Sequence, residues 1–135
     1  VCAMRGFGIT NGAIATTIVH DAHNLLCAGS NDEDILLAIE RAADLGGGIV
    51  MVSQGQIVHE LPLPIYGLIT DATIEDTADA LRVMVDKSHD ILGIPDHINP
   101  FLALSFMGLP VIPEVKLTVE GLFSVPEQRL IPPTE

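Results

Sequence analysis

The sequence predicts an α/β or α+β domain: a mixed sheet of short strands with two main helices packed on it. Three observations carry this reading. Hydrophobic residues make up 48% of the chain and aromatic residues only 4%, so Ile, Leu, Val and Ala must build the interior, as suits a sheet covered by helices. Short apolar runs rich in β-branched residues recur between turn signals. Two longer segments, beginning near Asp32 and Ile74, instead repeat apolar residues every three or four positions. At 135 residues the chain reads as one domain over 1–135, well short of the roughly 250 residues of a (β/α)8 barrel.

In chain order, Met4 to Ile9 and Ala13 to Val19 flank Thr10-Asn11-Gly12, and Asn-Gly between apolar runs predicts a β-hairpin. His20-Asp21-Ala22-His23-Asn24 then reads as a loop that reverses the chain into Leu25 to Ala28. Asn31 caps a helix opened by Asp32, Glu33 and Asp34, whose charges complement its positive end. Ile35, Ile39, Ala42 and Ala43 form its apolar stripe, and Gly46-Gly47-Gly48 ends it. That triplet closes a helix and opens the strand Ile49 to Val52, the reverse of a phosphate loop, so it reads as a cap with close backbone packing.

Ser53-Gln54-Gly55 turns the chain into the alternating strand Gln56 to Leu61, where His59 falls on the side of Ile57 and Leu61 as a partly buried histidine. Leu61-Pro62-Leu63-Pro64-Ile65 suits neither a helix nor a central strand and reads as a rigid extended connector. A second helix starts at Thr73, with Asp76 in an approximate capping box. Ile74, Ala78, Leu81, Val85, Ser88 and Leu92 form the stripe expected to lie on the sheet, and Gly93 and Pro95 stop the helix. The apolar run after Pro100 fits either a buried helix or a packed strand. Val115 to Thr118, Gly121 to Val125 and Arg129 to Ile131 read as short extended pieces before a proline-containing, acidic tail.

A formal charge of −12 with only six scattered Lys and Arg argues against nucleic acid or an anionic membrane as partner. No apolar run reaches the ~20 residues of a membrane span. Cys2 and Cys27 lack metal or redox spacing, and a reducing cytoplasm is the expected compartment. With no initiator Met and apolar residues from the outset, the chain reads as a piece of a longer polypeptide.

His20, Asp21, His23 and Asn24 concentrate more chemistry than any other stretch. A His beside a carboxylate suits an oriented base or hydrogen-bond donor. The competing structural reading is that these side chains cap backbone groups of a tight turn. A metal pair is disfavoured, because the loop offers neither a helix nor the four-residue spacing, and further ligands would have to come from Asp32, Glu33 or Asp34. No GxSxG elbow is present, and nothing marks Cys27 as activated.

Gly12-Ala13-Ile14-Ala15-Thr16, His20-Asp21-Ala22-His23-Asn24, Asn31-Asp32-Glu33-Asp34, Gly46-Gly47-Gly48-Ile49-Val50 and Leu61-Pro62-Leu63-Pro64-Ile65, in this order, resemble the C-terminal domain of bacterial and archaeal adenine deaminases. Leu104-Ser105-Phe106, Leu109 to Thr118 and Gly121-Leu122-Phe123 extend the resemblance over nearly the whole chain. The resemblance implies a parent amidohydrolase that converts adenine to hypoxanthine and ammonia. Its divalent metal (manganese, iron or zinc) and catalytic residues would belong to a preceding barrel, so this segment holds no catalytic residue, metal or cofactor and is inactive alone. The implied partners are that barrel, adenine as the parent's substrate, and a second copy in a homo-oligomer. His20, Asp21, His23 and Asn24 become substrate-site or interface candidates at the barrel mouth. The family commonly has Ser where this chain has Ala22, which would remove one hydroxyl contact. Two other readings stand beside this one: an interaction or oligomerisation module, and a stand-alone purine- or metal-binding domain.

Overall fold

The computed structural model describes residues 1–133. Thr134 and Glu135, the end of the expected tail, lie outside them. Seven strands and three helices follow in the order β1 (Ala13–Thr16), β2 (Leu26–Gly29), α1 (Asp32–Asp44), β3 (Gly48–Ser53), β4 (Gln56–Pro62), α2 (Ile74–Asp90), α3 (Pro100–Ser105), β5 (Val115–Thr118), β6 (Gly121–Ser124) and β7 (Arg129–Ile131). The mixed helix-and-sheet class is as predicted. Instead of one mixed sheet, the strands form two sheets, β2-β1-β3-β4 and β5-β6-β7, with antiparallel neighbours in each.

The four-stranded sheet has two buried faces, and strand alternation decides what goes where. Ala13, Ala15, Val50 and Val52 pack against Ala38 and Ala42 of α1. Small residues on both sides let this helix approach the sheet closely. Ile14, Ile49, Met51 and Leu61 point the other way, toward Met84 of α2, Leu104 of α3, and Leu92 and Ile94 beyond α2. The sheet is thus the middle of three layers.

α1 has the expected Asn31 cap, whose side chain accepts from Asp34 N at 2.9 Å. Its inner stripe is centred on Ala38 and Ala42, whereas Ala43 is exposed. Asp34 is buried, and its carboxylate accepts from Gly55 N at 2.7 Å, Gln54 N at 3.3 Å and Asn31 Nδ2 at 2.8 Å. These bonds join the start of α1 to the β3–β4 turn. Arg41 and Glu60 join α1 to β4 through paired contacts of 2.7 and 2.8 Å, which hold the Glu60 carboxyl below its ordinary range.

The expected hairpin through Asn11-Gly12 does not form, and Met4 to Ile9 is not a strand. β3 pairs with β1 along the edge that such a partner needs, because β2 already occupies the other edge. Asn11 Nδ2 instead donates to Ser53 Oγ at 3.0 Å and Ile91 O at 3.2 Å. Gly12, at φ +107°, passes so near β3 that a Cβ there would lie 2.2 Å from Val52 O. Phe7 is still buried, with Met4 and Ile9 packed beside it, so the segment joins the core without joining the sheet.

α2 begins at the Thr73 cap, where Asp76 N donates to Thr73 Oγ1 at 3.1 Å. The stripe expected on the sheet is only half used. Met84 and Ser88 are buried, but Ile74 is 82% exposed, as the N-terminal half of α2 projects beyond the core. β4 is an edge strand, so Pro62 at its end removes no interior ladder bond. A bulge at Val58 separates Ile57, which is exposed, from His59 and Leu61. Lys87 Nζ of α2 donates to the Val58 carbonyl at 2.9 Å. Among the described residues the buried His59 Nε2 has no hydrogen-bond partner, and burial followed by the nearby Lys87 charge pushes its pKa down. The run after Pro100 resolves as the short helix α3, capped by Asn99.

Candidate functional site

The chemistry-bearing loop lies at one end of the four-stranded sheet. β1 ends at Thr16 and β2 starts at Leu26, paired residue to residue, so the intervening loop emerges where the sequence places it. Main-chain bonds close it: Ala22 N to His20 O at 2.8 Å, His23 N to Val19 O at 3.1 Å, and His20 N to Ser105 O of α3 at 2.9 Å. Asp21 and His23 take left-handed backbone angles, φ +61° and +44°, uncommon for residues other than glycine. The cost of holding them so is of order 1 kcal/mol each.

His20, Asp21 and His23 are exposed and Asn24 is half-buried. Among the described residues, none of these four side chains takes part in a hydrogen bond or ion pair. The capping role is therefore not taken up. The His20 ring rests on Phe106, with ring centroids 4.7 Å apart and planes at 32°. Beside them opens a cleft of about 260 Å³. Ile18, Val19, Leu68 and Leu102 form its apolar lining, while His20, His23 and Ser105 contribute polar atoms.

Sequence reasoning did not single out Leu68, Ser105 or Phe106 as neighbours of the loop. One signal was available. Leu61 to Thr70 and Ile98 to Pro113 carry no charged residue in a chain of net charge −12, and both runs reach this end of the molecule. The 65–69 loop is held there by Thr17, whose Oγ1 accepts from Gly48 N at 2.9 Å and donates to Gly67 O. The glycine triplet acts as predicted, ending α1 through Gly46 N to Ala43 O and Gly47 N to Ala42 O, both 3.0 Å. Gly47 also lets the backbones close up, since a Cβ there would lie 2.4 Å from Gly67 Cα.

The acids proposed as further metal ligands sit at the wrong end. Asp32, Glu33 and Asp34 follow β2, whose C-terminus lies opposite the His20 loop, and Asp34 is committed to the β3–β4 turn. The described residues contain no group of three or more His, Cys, Asp or Glu placed to hold a metal ion. Cys27 packs against the small-residue core, and burial pushes its thiol up to about 12, the opposite of an activated nucleophile.

A three-layer α/β domain with an exposed two-histidine loop beside an open apolar cleft is the class of protein defined here. Within that class the chain belongs to the family described as adenine deaminase C-terminal domain, whose model matches residues 1–129. It is 48% identical over 129 residues to the adenine deaminase of Bacillus velezensis, a match covering 96% of this chain and 22% of that protein. The adenine deaminase of Bacillus subtilis is 46% identical over 122 residues, covering 90% of this chain and 21% of its own. That of Desulfitobacterium hafniense is 44% identical over 131 residues, with 97% and 23% covered. The chain thus spans about a fifth of the length of these relatives.

Proposed function

We propose that residues 1–135 are the C-terminal companion domain of an adenine deaminase, without the metal-binding barrel, and that the His20 to Asn24 loop faces the purine site. The parent reaction is hydrolytic: water adds to the purine carbon bearing the amino group, ammonia leaves, and hypoxanthine remains. In this reading a divalent metal would be held by residues of the barrel and would supply activated water there, and the cytoplasm is the compartment. Among the described residues no helix is long and apolar enough to cross a membrane.

The observation that carries the assignment to this loop is that, among the described residues, the side chains of His20, Asp21, His23 and Asn24 take no hydrogen bond or ion pair, with the first three exposed and Asp21 and His23 at left-handed backbone angles. Adenine offers ring-nitrogen acceptors and an amino donor, and imidazole, carboxylate and carboxamide groups complement both. A site built from such groups rejects a base that leaves them unpaired. Ala22 stands exposed in the same loop, so a family Ser at this point would place its hydroxyl on the same surface.

The test is steady-state adenine deamination by the full-length parent with His20→Ala and His23→Ala. A fall in kcat/KM of about tenfold or more, one lost hydrogen bond to the transition state, is expected with folding and metal content unchanged. Unchanged kinetics in both variants would make the domain a structural partner only.

A further inference from the structure

We infer that the end of the domain bearing the cleft, together with the 65–69 loop that carries Tyr66, is the surface on which the rest of the same polypeptide docks. This rests on the proposed function and names the contact that it requires. Five exposed apolar side chains belong to the segments at this end: Ile18 at 39%, Ile65 at 41%, Ile69 at 57%, Leu102 at 58% and Tyr66 at 95% exposure. Ile18, Leu68 and Leu102 share the cleft wall, and Thr17 and Gly47 pin the 65–69 loop beside them.

Charge points the same way. Segments 61–70 and 98–113 are uncharged, although the chain carries eighteen acidic residues. Interface centres are depleted in charge and enriched in aromatic rings, tyrosine among the most effective. Here the only tyrosine of the chain is almost wholly exposed, at φ +55° next to Gly67, on a tight loop closed by the Ile65–Ile69 bridge. Such a loop presents its side chain with little left to order on binding.

The occupant follows from length. In the relatives the matched region is about a fifth of the polypeptide, so there some four-fifths is tethered to it, and the occupant inferred here is the corresponding part of a parent chain. Tethering makes the contact intramolecular, at a high effective concentration.

The test uses the full-length parent carrying Ile69→Cys or Leu102→Cys. Leu36→Cys and Val83→Cys, on the outer faces of α1 and α2, serve as references. Maleimide labelling is read at each position by peptide mass mapping and normalised to the urea-unfolded chain. Positions 69 and 102 are expected to label at least about tenfold more slowly than both references, as burial in a cooperative interface requires. Hydrogen exchange of residues 65–69 in the unmodified parent should show matching protection, which covers a variant that fails to fold. Equal rates at all four positions overturn the inference. Protection that disappears on dilution as the mass halves overturns it too, because the occupant is then a second copy. Labelling needs no turnover, so a parent that protects these positions without deaminating adenine defeats the activity reading and leaves the docking surface standing.

Discussion

Asp34 shows how one side chain can join distant parts of the sequence. Its position in an acidic first turn made it legible as a helix-dipole partner, but nothing local shows that its carboxylate also holds the turn at Gln54 and Gly55. The Asn31 amide, foremost, and the Gly55 N–H hold its carboxyl below the usual carboxylate range. A lowered folded-state pKa contributes stability above the unfolded value of about 3.9, lost as pH falls through the folded value. Asp34→Ala is expected to cost about 2 kcal/mol near neutral pH by urea unfolding, typical of hydrogen bonds to a charged group. The deficit should shrink below pH 4, where wild type loses the same bonds. His20 and His23 stood out in the sequence for another reason, two histidines closely spaced around a carboxylate, and the structure adds only the packing of the His20 ring on Phe106.

At the scale of elements, both long helices, their caps and the β3–β4 hairpin could be read from the sequence because each rests on local chemistry. The Asn11-Gly12 hairpin could not. Its signal is genuine, but β3, far along the chain, takes the strand edge the hairpin needs, and a long-range pairing leaves no mark near residue 11. The half-used stripe of α2 fails for the same reason: periodicity marks an apolar face but not where the sheet beneath it stops. The glycine triplet allows a sharper test. A Cβ added at Gly46 would meet open space, whereas one at Gly47 would lie 2.4 Å from Gly67 Cα, and both glycines have positive φ. Gly46→Ala should cost about 1 kcal/mol, the usual left-handed penalty. Gly47→Ala should cost clearly more and loosen the 65–69 loop, seen as a lower urea midpoint and faster hydrogen exchange at Leu68.

Across the whole molecule, helices and extended pieces were legible, but their division into two separate sheets and three layers was not, because strand order is set by contacts distant in sequence. The site end was half legible. Its polar loop stands out, while Ile65, Tyr66, Ile69 and Leu102 lie in runs that look like ordinary core, and folding buries their neighbours Leu61, Leu63 and Leu104 but leaves these four exposed. Tyr66 gives this end one more property. With no tryptophan in residues 1–135 and a single tyrosine already 95% exposed, the chain's intrinsic emission scarcely senses its own interior. Urea unfolding of the isolated chain should therefore be plain in far-ultraviolet circular dichroism and nearly silent in fluorescence. A molecule that covers the 65–69 loop should do the reverse, changing the emission while the backbone signal stays level. The protein thus carries a built-in optical probe that is blind to folding and tuned to contact.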